Sequence, residues 1–267
     1  VKITQIPKID FTVLNPLFNY SFNNGSLKNY VDYNALQAKN YGAIPNYGGL
    51  HFNSSSYIDL QSSIIQKAIA INKAFTVSLW LNAESFPSQQ YIYDNVYTLY
   101  NNRLNINNHS ISFEITCRYD PNLTCPSGSY KILANNTIGL YSWHNIVTRV
   151  DHLGEMSIYL DGKMVAGGFV PGNIIDWYIY LQQDYYPKTT YNSISRSYSG
   201  IIGTIDDFTI YTKVLSSQEI YQLFSQGRTE NLLCGDINSD GTTFNVLDLT
   251  KLADYLYRNG TIPDPWQ

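Results

Sequence analysis

The sequence predicts an all-β fold: an antiparallel sandwich over residues 16–228, then a small loop-plus-helix unit over 229–267. Residues 1–15 form a lead-in, a linker or an edge strand. Three observations carry this reading. Short segments of alternating apolar and polar residues recur, and turn residues separate them. Gly203–Gly227 reads as one strand, a turn and a capped helix. Finally, Asp236, Asn238, Asp240 and Gly241 stand at the spacing of a calcium loop.

Taken in order, Leu17–Phe22 reads as a strand ending in the Asn24-Gly25 turn. Tyr47–Leu60 holds two short strands around a polar turn. Ile64–Ile71 has apolar residues on a helical period. Phe75–Leu81 alternates cleanly, with Phe75, Val77, Leu79 and Leu81 on one face. Segments 91–100, 103–106 and 110–118 read as further strands. Met156–Val165 is a hairpin about Asp161-Gly162, a type I′ turn pair. From Phe169 to Gly200 the sequence is loop-like and rich in tyrosine. In the last strand, Asp206 falls on the face of Phe208 and Ile210. A carboxylate among apolar neighbours needs a partner, and a metal ion is one candidate. Ser216 and Glu219 form a capping box, Leu215 and Ile220 a hydrophobic staple, and Gly227 a stop.

Composition narrows the function. Charged residues are 14% and net charge is -4, with no basic stripe, which argues against nucleic acid. No apolar run approaches the ~18 residues of a membrane span. The start at Val1 reads as a processed chain or an excised fragment. Asn19, Asn24, Asn53, Asn108, Asn122, Asn135 and Asn259 each head an Asn-x-Ser/Thr sequon, as expected of a secreted glycoprotein. Cys117 and Cys125 flank a short polar loop suited to a local disulfide in an oxidising compartment. Cys234 is then left over. The setting expected is therefore extracellular.

The tail follows from hard-cation chemistry. Asp236, Asn238 and Asp240 offer oxygens at alternate positions, Thr242 a carbonyl, and Gly241 the sharp turn. Leu247 falls where the closing carboxylate belongs, and a one-residue bulge would bring Asp248 there instead. Leu249, Leu252, Ala253 and Leu256 then recur at helical spacing.

Several motifs now form an ordered set: Gly49-Leu50-His51-Phe52 with Tyr57-Ile58, Phe75-Thr76-Val77-Ser78-Leu79-Trp80, Trp143-His144 with Ile146-Val147, Tyr159-Leu160-Asp161-Gly162-Lys163, and Gly203-Thr204-Ile205-Asp206-Asp207. In this order they resemble laminin-G-like, concanavalin-A-like jelly-roll domains, over Leu17 to Gly227. The tail resembles a dockerin repeat, one copy where a dockerin carries two. The resemblance implies a jelly-roll sandwich and a structural calcium near Asp206, with backbone ligands from the region of Asn24-Gly25. It also implies a non-catalytic binding or adhesion module for glycans or a surface protein, with the tail for attachment. Jelly rolls of laminarinase type carry paired carboxylates on one strand, whereas Glu114 stands alone here and Asp206 and Asp207 are adjacent. The aromatic residues Trp177, Tyr178, Tyr180, Tyr185 and Tyr186 suit stacking on sugar rings or a protein interface. A second reading is a structural subunit of a filament, cell envelope or virion, self-associating through the tail or the N-terminal arm.

Overall fold

The computed structural model describes residues 14, 16–22, 25–27, 38–46, 48–60, 74–96, 100–117, 128–170, 191–196, 199–228, 249–250 and 253. Two antiparallel sheets pack face to face. The first runs β13(Lys163–Phe169)-β12(Glu155–Leu160)-β11(Trp143–Val150)-β6(Phe75–Ser85)-β15(Ile202–Tyr211)-β4(Gly49–Phe52)-β3(Ile44–Asn46), with β1(Pro16–Tyr20) also paired to β15. The second runs β10(Gly128–Ala134)-β9(Ser110–Cys117)-β8(Tyr100–Asn107)-β7(Gln90–Val96)-β14(Tyr191–Ile194)-β5(Tyr57–Asp59)-β2(Lys39–Tyr41). This is the jelly-roll sandwich that the alternation predicts.

The inward residues of both sheets build one core. Phe75, Val77, Leu79 and Leu81 of β6 meet Leu104, Ile106, Phe113 and Ile132 from the opposite sheet. The single helix among the described elements, α1(Ser217–Ser225), lies on the outer face of the first sheet. Leu215, Ile220 and Leu223 join Val147, Tyr159 and Tyr211 there in a second cluster. Both halves of the capping box are formed, and both staple residues are buried. The Asp161-Gly162 turn has φ of +49° and +74°, as a type I′ hairpin requires. A Cβ on Gly162 would come within 3.1 Å of Phe224, so close approach of α1 also demands glycine there.

β15 is the axis of the first sheet. Its first half pairs with β4 and its second half with β1, while β6 runs along its other side. Between Asp206 and Thr209 the ladder to β6 slips, and Asp207 has a φ of +46°. This bulge corrects the expected facing. Ile205, Phe208 and Ile210 point into the core, whereas Asp206 is the cross-strand partner of Trp80 on the outer face. Strict alternation fails at Asp207 because two residues oppose one.

Four strands were not expected. β2 and β3 are three residues each, exposed and polar, so they carry no apolar pattern. β10 alternates only weakly, and β14 sits in the tyrosine-rich stretch, where pairing with β5 and β7 imposes the strand. Leu249, Thr250 and Ala253 are helical, as the periodicity predicts, and exposed. The helix expected at Ile64–Ile71 lies outside the described residues, as do Asn24, Asn122, Asn259, Cys125, Cys234, Trp177, Tyr178, Tyr180, Tyr185, Tyr186, Asp236, Asn238, Asp240, Thr242 and Asp248. No helix among the described residues is long and apolar enough to cross a membrane.

Candidate functional site

The outer face of the second sheet carries a continuous polar row. Register places Lys39, Asp59, Ser193, Asp94, Arg103, Glu114 and Lys131 side by side across all seven strands. Its centre is Asp94, whose side chain is only 3% exposed. Arg103 Nε donates to Asp94 Oδ1 at 2.9 Å, and Arg196 meets Oδ2 at 3.2 Å. Both guanidinium groups lie over the Tyr91 ring, at 5.8 and 4.8 Å from its centroid. Two cations on one buried carboxylate hold each other in place, and the aromatic face adds a cation–π contact of about 0.5–2 kcal/mol. Arg196 remains 42% exposed, so it is both fixed and accessible. Beyond Arg103, Glu114 accepts hydrogen bonds from Thr116 and Ser129.

This row lies one step from a sheet end. There β7 stops at Val96, β9 stops at Cys117, and β8, β10 and β14 begin at Tyr100, Gly128 and Tyr191. The tyrosine-rich segment 171–190 thus joins the sheet at Tyr191, the cross-strand partner of Val96, two residues from Asp94. None of Tyr91, Asp94, Arg103 or Arg196 was singled out from the sequence. They come from two strands, β7 and β8, and the loop after β14, and the strand pairing brings them together.

At the opposite sheet, Asp206 is fully buried. Its Oδ1 accepts from the Asp207 N–H, and its Oδ2 lies 3.9 Å from an Arg228 guanidinium nitrogen. Arg228 also donates to the Gly48 carbonyl at 3.1 Å and stacks on Trp143 at 3.9 Å. A calcium ion needs six to eight oxygens at about 2.3–2.6 Å. Here a guanidinium already faces the carboxylate, and no cluster of three His, Cys, Asp or Glu exists among the described residues. Arg228 thus offers Asp206 a charged partner of the kind a carboxylate among apolar neighbours needs.

A third arrangement joins the start of β11 to the β12–β13 turn. Ser142 Oγ lies 2.9 Å from His144 Nε2, and His144 Nδ1 lies 2.8 Å from Asp161 Oδ2. The Gly139 N–H also donates to Nε2, which places the ring hydrogen on Nδ1. Asp161 Oδ1 accepts from the Asn145 N–H, so the carboxylate pins β11 to the β12–β13 turn. The order hydroxyl, imidazole, carboxylate is that of nucleophilic catalysis. Here Nε2 is shared with a backbone donor, and the chain of bonds serves to fix the hairpin.

Of the described sequons, Asn53, Asn108 and Asn135 are exposed at turns, whereas Asn19 is half-buried on β1 beside Thr209. Cys117 ends β9 opposite Gly128.

A two-sheet jelly roll with a helix on one face and a fixed polar–aromatic row on the other defines a concanavalin-like domain. A family model described as the concanavalin A-like lectin/glucanases superfamily matches residues 52–221, and the chain belongs to that family. No curated protein matches it by sequence. The receptor-binding domain of botulinum neurotoxin C/D mosaic serotype is similar in structure, with a TM-score of 0.56 at 16% identity, covering 86% of this chain and 55% of that one. Domain 4 of AbnA, a GH43 extracellular arabinanase from Geobacillus stearothermophilus solved with arabinotriose, gives 0.54 at 16% identity, covering 77% of this chain and 96% of that one. The binding domain of botulinum neurotoxin DC, solved with rat synaptotagmin II, gives 0.55 at 18% identity, covering 79% and 51%. The chain spans about half the length of the toxin domains. At these identities the likeness is one of fold, and the toxin neighbours are binding domains.

Proposed function

We propose that the chain is a non-catalytic extracellular binding module that recognises a glycan, or a protein on a surface, through the outer face of the second sheet. The observation that carries this is the Asp94–Arg103–Arg196–Tyr91 cluster: a preformed, partly exposed polar–aromatic group on a rigid sheet. Guanidinium donors and an aromatic face suit sugar hydroxyls or carboxylates, and their fixed geometry lowers the ordering cost of binding. Trp177, Tyr178, Tyr180, Tyr185 and Tyr186 belong to the segment that enters beside this cluster, and in this reading they add stacking surface.

Asp94 and Glu114, at the centre of the same face, argue for binding over hydrolysis. Asp94 is locked between two arginines, and Glu114 is held by two hydroxyls, with Arg103 between them. Neither is placed as a free acid facing a partner base. The known ligands of the structural neighbours, arabinotriose and synaptotagmin II, add support in kind. In the tail, we assign Asp236, Asn238, Asp240, Thr242 and Asp248 to calcium, and the tail to attachment.

A second reading, a subunit of a surface assembly, draws on the β13 edge. Met164, Val165 and Phe169 are exposed there at 53%, 37% and 60%. Exposed apolar edge strands invite pairing with another chain. A glycan array run beside light scattering separates the two. Glycan binding by a monomer supports the module; concentration-dependent polymers without glycan binding support the subunit. Hydrolysis of the bound polysaccharide would overturn both.

A further inference from the structure

The cluster around Asp94 holds more positive charge than its carboxylate matches. Two guanidinium groups share that one carboxylate, and each gives it a single nitrogen. Arg103 uses Nε, which leaves its two terminal nitrogens side by side. Arg196 uses Nη1, which leaves Nε and Nη2. The N–H groups of that edge run parallel and form the fork that meets an oxyanion with two hydrogen bonds at once. Neither arginine pairs with a second acidic side chain among the described residues. Glu114, the cross-strand partner of Arg103, accepts from Thr116 and Ser129 instead.

The surrounding row points the same way. Across the seven strands, Lys39, Arg103 and Lys131 stand against Asp59, Asp94 and Glu114. Arg196 adds a further cation from the loop after β14. Cations therefore outnumber anions here, in a chain whose net charge is -4. The surplus is local, and its most accessible part is Arg196, 42% exposed and held over Tyr91. A neutral ligand would strip water from that guanidinium and leave its charge unmatched. An anion would replace the water with a charge-assisted pair. The row itself holds no large apolar side chain to anchor a peptide. Its Ser193 hydroxyl and its carboxylates suit the hydroxyls of a sugar.

We infer that this face selects acidic glycans: a carboxylate or sulfate on a sugar ring binds the open fork of Arg196, with Arg103 adding charge and Tyr91 a stacking face. The inference rests on the proposed use of this face for ligand binding, and narrows it to charged sugars. Asp94 and Tyr91 already hold the Arg196 guanidinium, so little ordering remains to be done when the ligand arrives. Because Arg196 is partly exposed, water weakens the pair, and the discrimination against a neutral counterpart is about tenfold. Added salt should weaken the charged ligand and leave contacts to neutral hydroxyls unchanged.

A glycan array printed in matched sets tests this with the full chain. Each set holds a uronic- or sialic-acid oligosaccharide, the same chain with its carboxyl reduced to an alcohol, and a sulfated form of the reduced chain. A charged member should bind about tenfold tighter than its reduced partner. Preference for the carboxylated or for the sulfated member identifies the oxyanion, and either supports the proposal. Arg196→Gln should bring the charged member down to the level of the neutral one. Arg196→Lys keeps the charge without the fork and should recover only part of the preference. Equal binding of charged and reduced members, lost in Arg196→Gln, would overturn the acidic preference while leaving this face as the glycan site. A charged preference that persists in Arg196→Gln would place the anion elsewhere and overturn the proposal. Binding of poly-glutamate and of no glycan would assign an acidic protein partner, and binding of neither would remove the glycan site itself; both overturn the proposal. The matched comparison needs no variant, so it decides the preference even if Arg196→Gln does not fold.

Discussion

Replacing Arg228 with methionine isolates the closing contact of the sandwich. The guanidinium faces fully buried Asp206 at 3.9 Å, donates to Gly48 and lies on Trp143, while its own side chain is 10% exposed. Breaking a buried pair by removing one partner costs about 3–5 kcal/mol, and the long separation places this pair at the lower end. Losing a charged donor to the partly buried Gly48 carbonyl adds about 1 kcal/mol, and the methionine stem keeps part of the contact with Trp143. The sum is about 4 kcal/mol, which for a unit of this size lowers Tm by about 8–16 °C. Urea unfolding followed by tryptophan fluorescence would measure it. Asp206→Asn in the same background should recover much of the loss, because the orphaned charge goes with it. A loss under about 1 kcal/mol for Arg228→Met, or full additivity with Asp206→Asn, would refute the claim that the guanidinium neutralises Asp206.

Three further outcomes follow from the geometry. Gly162→Ala combines a positive φ with a clash against Phe224 and should cost about 2–3 kcal/mol in urea unfolding, without loss of fold by circular dichroism. Burial pushes the Tyr20 phenol up to about 12 and raises that of Tyr211 further. Such groups stabilise the fold fully below the unfolded value near 10, and the stability is lost as pH rises through the folded value. Tyr20 contributes about 3 kcal/mol of this, so Tyr20→Phe should flatten the alkaline arm of a Tm–pH profile. Its hydroxyl has no hydrogen-bond partner among the described residues, so the change should be neutral or slightly stabilising at pH 7. Chelator should lower calcium occupancy in the wild-type tail but leave the Asp236→Ala/Asp240→Ala chain short by one tight ion, as counted by native mass spectrometry. Equal counts in the two proteins would remove the loop assignment.

The sandwich was legible because a pleated strand repeats every two residues. Phe75, Val77, Leu79 and Leu81 declare their face without any knowledge of partners. The Ser216–Glu219 box and the Asp161-Gly162 turn were readable because caps and turns are local chemistry. Asp206 was misassigned for a physical reason: one residue in a bulge inverts every facing before it, and a single positive φ at Asp207 leaves no pattern in sequence. The Asp94 cluster was invisible because strand pairing, rather than chain order, brings Arg103 and Arg196 to one carboxylate and to the Tyr91 ring. The short exposed strands β2 and β3 bury nothing, so they left no apolar signature.

The central claim is that the outer face of the second sheet binds a ligand through the arginine–tyrosine cluster. Calorimetric titration of the strongest glycan-array hit into wild type, Tyr91→Ala and Arg196→Ala tests it most directly. Arg196 is exposed enough for its loss to spare the fold, which the Tm of each variant checks. The account predicts at least tenfold weaker binding for Arg196→Ala, and a comparable loss for Tyr91→Ala, with Tm changed by only a few degrees. Undiminished affinity in both variants would place the ligand elsewhere and contradict the account.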